Sequence, residues 1–363
     1  MASFEYAESA EGVVNIKVIG CGGGGCNAVN RMIRSGVQGV DFVVVNTDKP
    51  VLEASAATTK LQIGEKLTKG KGAGSDPVVG ENSALENREE IEATLRGADM
   101  VFIAAGMGGG TGTGSAPVVA EIAKDMGILT VAIVTKPFGF EGRMKMRTAE
   151  AGIEKLRQHV DSLIIIPNEK LKDVSAERIT LLNAFQVADD VLRQGVQSIS
   201  DLILIPGLVN VDFADVHKIM KDAGNAHMGV GRASGENKAV NAAAMAISSP
   251  LLETSIDGAT GVIFNITASP DIGMDEVDEA SRMVEQAAHP DANIIWGVAL
   301  NNDLEDEIIV TVIATGFPTN KQAANGVIAE EPKLGFPSFA SEQKEEEAED
   351  DLNFLDLFAN LGE

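Results

Sequence analysis

Short apolar runs recur along the first half of the chain, each followed by a stretch of helical periodicity. The runs are VVNIKVIG (13–20), VDFVVVN (40–46), DMVFIAA (99–105) and ILTVAIV (128–134), and the intervening pattern predicts helices through 28–33, near 81–95 and near 116–126. Uninterrupted apolar strands are covered on both faces, and their alternation with helices calls for parallel crossovers. The pattern therefore predicts a doubly wound parallel sheet, continued by a helix near 144–158 and a strand over 162–167. A long helix follows over about 175–201, in which Ile179, Leu182, Phe185, Val191, Leu192 and Val196 approximate the 3.6-residue repeat before Pro206 ends the region.

After Pro206, helices near 212–221, 238–247 and 274–286 alternate with the β-like runs GVIFNITA, ANIIWGVAL and EIIVTVIATGF. This mix predicts a second, smaller α/β sandwich that ends near Phe317. The expected organisation is a flexible N-terminus (1–12), a doubly wound α/β domain (13–174), a central connecting helix (175–205) and the sandwich domain (206–317). Residues 318–363 hold 11 acids and 3 lysines and read as an acidic disordered linker (318–351). The chain closes on a short apolar segment, LNFLDLF, in the terminal stretch 352–363, which reads as a peptide that folds on a partner.

Charge narrows the partners. With 54 acidic and 29 basic side chains the formal net charge is −25, which argues against nucleic acid, whose binders need clustered Lys and Arg. The 13 Phe, one Trp and one Tyr are too few for a base-stacking platform. The two cysteines, Cys21 and Cys26, share one glycine-rich loop, and the four histidines are scattered, so no metal-ligand spacing is present. A reduced, cytoplasmic chain is expected, without an export signal and without direct membrane insertion.

The candidate chemistry lies in two glycine loops. The first, Gly20-Cys21-Gly22-Gly23-Gly24-Gly25-Cys26-Asn27, leaves a strand and enters a helix, so that backbone N–H groups can face an anion. Its G-x-G-x-x-G match, with Asp48 after the next strand, is also what a dinucleotide-binding dehydrogenase would carry. The second loop, residues 106–115 (GMGGGTGTGS), again joins a strand to a helix, and a dehydrogenase has no need of it. Two such cradles at neighbouring strand ends can hold several phosphates, with the Thr111 and Thr113 hydroxyls as further donors. No G-x-x-x-x-G-K-[ST] occurs, which excludes a P-loop nucleotidase.

The run GGGTGTGSAP (108–117) resembles the tubulin signature, and its flanks resemble the tubulin/FtsZ family of GTPases, in particular its bacterial cell-division members. The accompanying blocks are VNTD (45–48), KGKGAGSDP (69–77), TKPFGFEGR (135–143), IPNEKL (166–171) and PGLVNVDFADV (206–216), in order from about Asn15 to Phe317. The resemblance implies GTP and GDP as ligands, with Mg2+ carried on the phosphates. Gly22, Gly23, Gly24, Gly25, Cys26 and Asn27 would face the α- and β-phosphates, together with Gly106, Gly109, Gly110, Thr111, Gly112 and Thr113. Gly72, Ala73 and Gly74 would meet the γ-phosphate.

Glu141, Arg143 and Lys145 would stand near ribose and phosphate. Asn168 is similarly placed at a strand end, Phe185 on the long helix would stack on the base, and Asp189 would read guanine by accepting from its ring N–H and amine together. Asn210, Asp212 and Asp215 would enter the pocket of the next subunit and act on the attacking water, although within one chain the two aspartates also read as helix N-terminal acids. The resemblance further implies a head-to-tail homopolymer forming a ring at mid-cell, with division proteins and membrane tethers gripping the tail. Three departures stand out: Cys26 in the first loop, Lys145 where relatives carry Arg, and a terminal peptide without the Pro and basic ending of the family's D-I-P-x-F-L-R-like pattern.

Overall fold

The computed structural model describes residues 14–317 apart from 175–179, 181–182, 205–210, 250, 252–255 and 302–303. The N-terminal segment, the acidic linker, the terminal peptide and Asn210 lie outside the described residues.

The chain runs β1 (Ile16–Cys21), α1 (Gly22–Arg34), β2 (Val40–Asn46), α2 (Lys49–Glu53), β3 (Thr59–Gln62), α3 (Glu65–Thr68), α4 (Pro77–Glu86), α5 (Arg88–Leu95), β4 (Met100–Gly106) and α6 (Thr111–Asp125). It continues through β5 (Leu129–Lys136), α7 (Arg143–Arg157), β6 (Ser162–Pro167), α8 (Leu171–Val174) and α9 (Ala184–Leu204). The last part holds α10 (Phe213–Met220), β7 (Gly224–Ser234), α11 (Lys238–Ile247), β8 (Gly261–Ala268), α12 (Met274–Ala287), β9 (Asn293–Leu300) and β10 (Glu307–Thr315).

The strands form one sheet in the order β3-β2-β1-β4-β5-β6-β7-β10-β8-β9. Pairing is parallel from β3 to β6, as the apolar runs require, and the carboxyl ends of β1, β2 and β4 stand side by side. A helical layer covers each face. One buried cluster joins α1, α9 and α10 to the sheet through Val29, Phe102, Ile133, Val196 and Val216, and a second joins α5, α6 and α7 through Ile103, Ile91, Val119 and Ile153. A third, under α11 and α12, fills the smaller half with Phe264, Ile266, Val284 and Val312.

Three differences from the sequence reading have physical causes. The stretch near 81–95 is two helices, because Asn87 leaves helical backbone geometry and its Oδ1 accepts the Gly64 N–H at 2.8 Å. Helix α1 starts at Gly22, not near Ala28, so the glycines of the first loop are its opening turn.

The third is β7, which the apolar pattern missed. It pairs in parallel with β6 through Gly224, Asn225 and Ala226, then antiparallel with β10, and so carries the sheet from the larger half into the smaller. Its small residues hide it from a search for apolar runs. A Cβ on Gly229 or Gly231 would stand about 2 Å from the carbonyl oxygens of Ala246 and Ala242, because α11 lies directly on the strand.

Candidate nucleotide site

A cleft of about 370 Å³ opens at the carboxyl ends of the parallel strands. Its phosphate-like end is built from two helix N-termini. Neither α1 nor α6 has a side-chain N-cap or an acid in its first turn, so the N-termini of both offer backbone N–H groups that suit an anion, with the helix dipoles behind them. The two loops interlock: a Cβ on Gly22, whose φ is +69°, would lie 2.5 Å from Gly112 N, so only glycine allows the backbones to meet. Gly23 and Gly109 differ, because a Cβ on either would meet nothing within 4 Å. Both line the cleft, and their missing side chains leave room that no protein atom fills.

Of the residues singled out from sequence, the cleft gathers Gly23, Gly24, Asn27, Gly106, Gly109, Gly110, Thr111, Gly112, Glu141, Lys145, Asn168, Phe185 and Asp189. Lys145 Nζ donates to Glu141 Oε2 at 2.7 Å, and Glu141 Oε1 accepts Phe138 N–H at 2.9 Å, so this carboxylate is already engaged. Asn168 is buried, and its Oδ1 has no hydrogen-bond partner, which leaves an acceptor at the wall of the cleft for a ligand donor.

Asp189 stands on α9 among Ala188, Leu192 and Phe185. Burial pushes its carboxyl up to about 7, opposed by the Arg31 guanidinium and aided by the neighbouring Asp190 carboxylate. A donor pair on a planar base would return it to the ionised form.

Other residues are not brought to the cleft surface. Gly22 and Gly25 hold helix packing, and Cys26 points into the core, where its Sγ accepts from Asn46 Nδ2 at 3.7 Å. Burial pushes Cys21 up to about 12 and Cys26 up to about 11, so neither presents a thiolate to a phosphate. The two cysteines sit in the clusters on opposite faces of the sheet and are free.

The Thr113 hydroxyl oxygen accepts Gly108 N–H at 2.8 Å and tightens its own loop. Gly72, Ala73 and Gly74 stand behind the second loop, with Ala73 Cβ about 2.9 Å from an ideal Cβ on Gly110. Arg143 is exposed on the first turn of α7. Asp212 and Asp215 are exposed at the start of α10, away from this cleft.

Sequence reasoning missed the two aromatics that pack against Phe185 without themselves lining the cleft. Phe138 and Phe140 stack with centroids 5.3 Å apart, and Phe185 meets them edge-on at 5.6 and 6.2 Å. Phe138 and Phe140 lie in the quoted TKPFGFEGR block, whose aromatic content was the available signal. Met107, Thr135, Pro137, Ala188 and Leu192 complete the lining. They are ordinary core types by sequence and reach the cleft only through their position at strand ends and on α9.

The fold and the site together define an α/β protein with a cleft at the carboxyl ends of parallel strands and two glycine-led helix N-termini at one end of it. Residues 15–176 match the GTPase domain of the Tubulin/FtsZ family, and residues 224–318 match the C-terminal domain of the FtsZ family. An "FtsZ dimer, empty" from M. jannaschii is similar over 84% of this chain and 88% of that one, at 46% identity and a TM-score of 0.81. CetZ2 from Haloferax volcanii, a "GTPgS bound protofilament", shares the fold at 22% identity and a TM-score of 0.70, over 83% of this chain and 92% of that one. The chain belongs to the tubulin/FtsZ family and is a GTPase. Among the described residues no helix is long and apolar enough to cross a membrane.

Proposed function

We propose that this GTPase assembles head to tail into filaments that build a division ring, and that each active site is completed by the next subunit. The observation that carries the reading is the shortage of carboxylates at the phosphate end. Among the cleft-lining residues the only acids are Glu141, held by Lys145 and Phe138 N–H, and Asp189, at the base end. Neither is free to act on a water beside a terminal phosphate. Asp212 and Asp215 are exposed on α10, where a neighbouring copy can receive them.

In this reading GTP lies with its phosphates on the N-termini of α1 and α6, its terminal phosphate toward Gly72, Ala73 and Gly74, and guanine between Phe185 and Asp189. Glu141, Lys145 and Arg143 stand toward ribose and phosphate, and Asn168 accepts from the base. Magnesium would be held chiefly by the phosphates and supply charge neutralisation there. The described residues hold no group of three acids, cysteines or histidines fit to bind the ion alone. Asp212 and Asp215 of the following subunit orient and polarise the water that attacks the γ-phosphorus, with Asn210 assigned beside them from the sequence pattern. Products are GDP and inorganic phosphate.

A contact that uses different faces of the two copies propagates as a filament unless it closes. The 46% identical FtsZ from M. jannaschii, seen as a dimer, supports self-association. The sequence resemblance is to bacterial members and the 46% identical match is archaeal, so the ring is proposed without a domain of life attached. A cytoplasmic, mid-cell site and a tail that recruits division proteins and membrane tethers belong to the same proposal.

The test is phosphate release from GTP, with ATP as control, across a protein dilution series alongside sedimentation. A threshold concentration for turnover that coincides with polymer is the expected result. Turnover per subunit that stays constant on dilution would mean that each monomer hydrolyses alone, and the shared site would fall.

A further inference from the structure

The segment VNTD (45–48) closes β2, yet none of its side chains lines the cleft. Thr47 is nonetheless among the most constrained residues of the site. It is 0% exposed, and its Oγ1 lies 2.6 Å from Thr111 Oγ1. Its N–H donates to Asn46 Oδ1 at 2.9 Å. Its carbonyl accepts Gly72 N–H at 3.3 Å and the Thr68 hydroxyl at 3.4 Å. One residue is thus bonded through its hydroxyl to the first residue of α6 and through its backbone to the 68–74 loop.

Only one of two hydroxyls can donate in the bond between them, and the direction matters for the ligand. If Thr111 donates to Thr47, its proton is used and oxygen lone pairs face the cleft, which repels a phosphate oxygen. If Thr47 donates to Thr111, the Thr111 proton is free for the ligand and the bond behind it strengthens its donation. Thr47 is sealed from water, and among the described residues Thr111 Oγ1 is the hydroxyl's partner, so donation toward Thr111 leaves no buried proton unsatisfied.

We propose that Thr47 is a positioning residue for the phosphate chain: it donates its hydroxyl proton to Thr111 Oγ1 and so commits the Thr111 hydroxyl to donate to a nucleotide phosphate oxygen. Thr47 touches no ligand and acts through Thr111. The inference rests on the nucleotide reading above and adds a residue that the cleft itself does not display.

The experiment compares GDP and guanosine affinities of wild type, Thr47→Val, Thr47→Ser, Thr111→Val and the Thr47→Val/Thr111→Val pair. Valine keeps the shape and removes the donor. GDP binding is expected to weaken about 10-fold in Thr47→Val, in the range of a hydrogen bond to a charged group. Guanosine binding stays within about twofold, because guanosine carries no phosphate, and Thr47→Ser restores GDP affinity. In the Thr111→Val background the Thr47 substitution changes nothing further.

Equal loss for guanosine and GDP, an undiminished GDP affinity in Thr47→Val, or a Thr47 effect that persists without the Thr111 hydroxyl would each overturn the proposal. If Thr47→Val does not fold, Thr47→Ala must show the GDP loss that Thr47→Ser lacks. A wild-type protein that ignores GDP altogether overturns the nucleotide reading itself, a different failure from a wild type that binds GDP as tightly as Thr47→Val.

Discussion

Asp212 Oδ1 accepts the backbone N–H of Asp215 at 2.9 Å, so that the first of the two acids proposed to act on water is also the N-cap of the helix that carries the second. The side chain that positions Asp215 is therefore held on its own helix whether or not a neighbouring subunit is present. Both residues remain exposed, which is what an acid offered to another copy requires.

This double duty separates two substitutions. Asp212→Asn keeps the cap, since an amide oxygen also accepts, and should leave stability unchanged while abolishing turnover. Asp212→Ala should lose turnover and also about 1 kcal/mol of stability. Chemical denaturation beside phosphate release checks both. Hydrolysis that survives in Asp212→Asn would remove the charge from the mechanism.

Asp189 sets function against stability. Its carboxyl is raised to about 7, so between about pH 4 and that value the native protein holds a proton that the unfolded chain has released. Stability contributed by this group accordingly falls as pH rises through that window. Asp189→Asn removes the buried charge, and its melting temperature should exceed that of wild type at pH 8, by about 2–4 °C per kcal/mol, and by roughly a third of that gap at pH 5, where only the first part of the window has been crossed. Its affinity for GTP should drop roughly 10- to 100-fold at pH 8, and wild-type affinity should itself decline as pH falls below 7. Calorimetric melts and nucleotide titrations at the two pH values decide the matter.

The glycines divide by what surrounds them. Gly23→Ala adds a methyl that meets no protein atom, at a helical position, so it should stabilise by about 0.5–1 kcal/mol while weakening nucleotide binding at least tenfold. Gly112→Ala places a Cβ 2.9 Å from Cys21 O and should destabilise the fold before any ligand is added. Parallel melting and GDP-binding curves for the two variants separate a ligand cradle from a packing contact.

Asp161 ties the sheet together at the point where the chain passes between its halves. Its buried carboxylate accepts Thr130 N–H at 2.8 Å and Asp222 N–H at 3.3 Å, while its backbone bonds Thr130 and Gly224. Asp161→Ala leaves those donors unmet and should cost about 2–4 kcal/mol. GDP affinity, measured on the folded protein at low temperature, should not change, because Asp161 lies at the opposite end of β6 from the cleft.

Legibility followed the periodicity. β4 and β5 are largely apolar runs buried on both faces, and β1, β2 and β6 are nearly so, interrupted in β1 by Lys17 and in β2 by the exposed Asp41; such runs announce themselves. β7 did not, because a strand pressed against a helix backbone must give up the large side chains that make strands visible. The glycine loops were legible as anion cradles, and Asp189, Asn168 and Phe185 entered through the family pattern. Cys26 shows the limit, since its place in the loop says nothing about which way its side chain points, and α1 turns it into the core.

The sequence by itself determined the alternation of apolar strands and helices in the larger half, the two glycine-led turns, and the separation of the acids Asp212 and Asp215 from those turns along the chain. These are local properties, set by residue type and spacing. Only the tertiary structure decided that Gly22 meets Gly112, that Thr47 stands against Thr111, that Asp189 loses water, and that Asp212 and Asp215 miss the cleft of their own chain. Each depends on segments brought together from distant positions, and burial and contact are properties of that assembly.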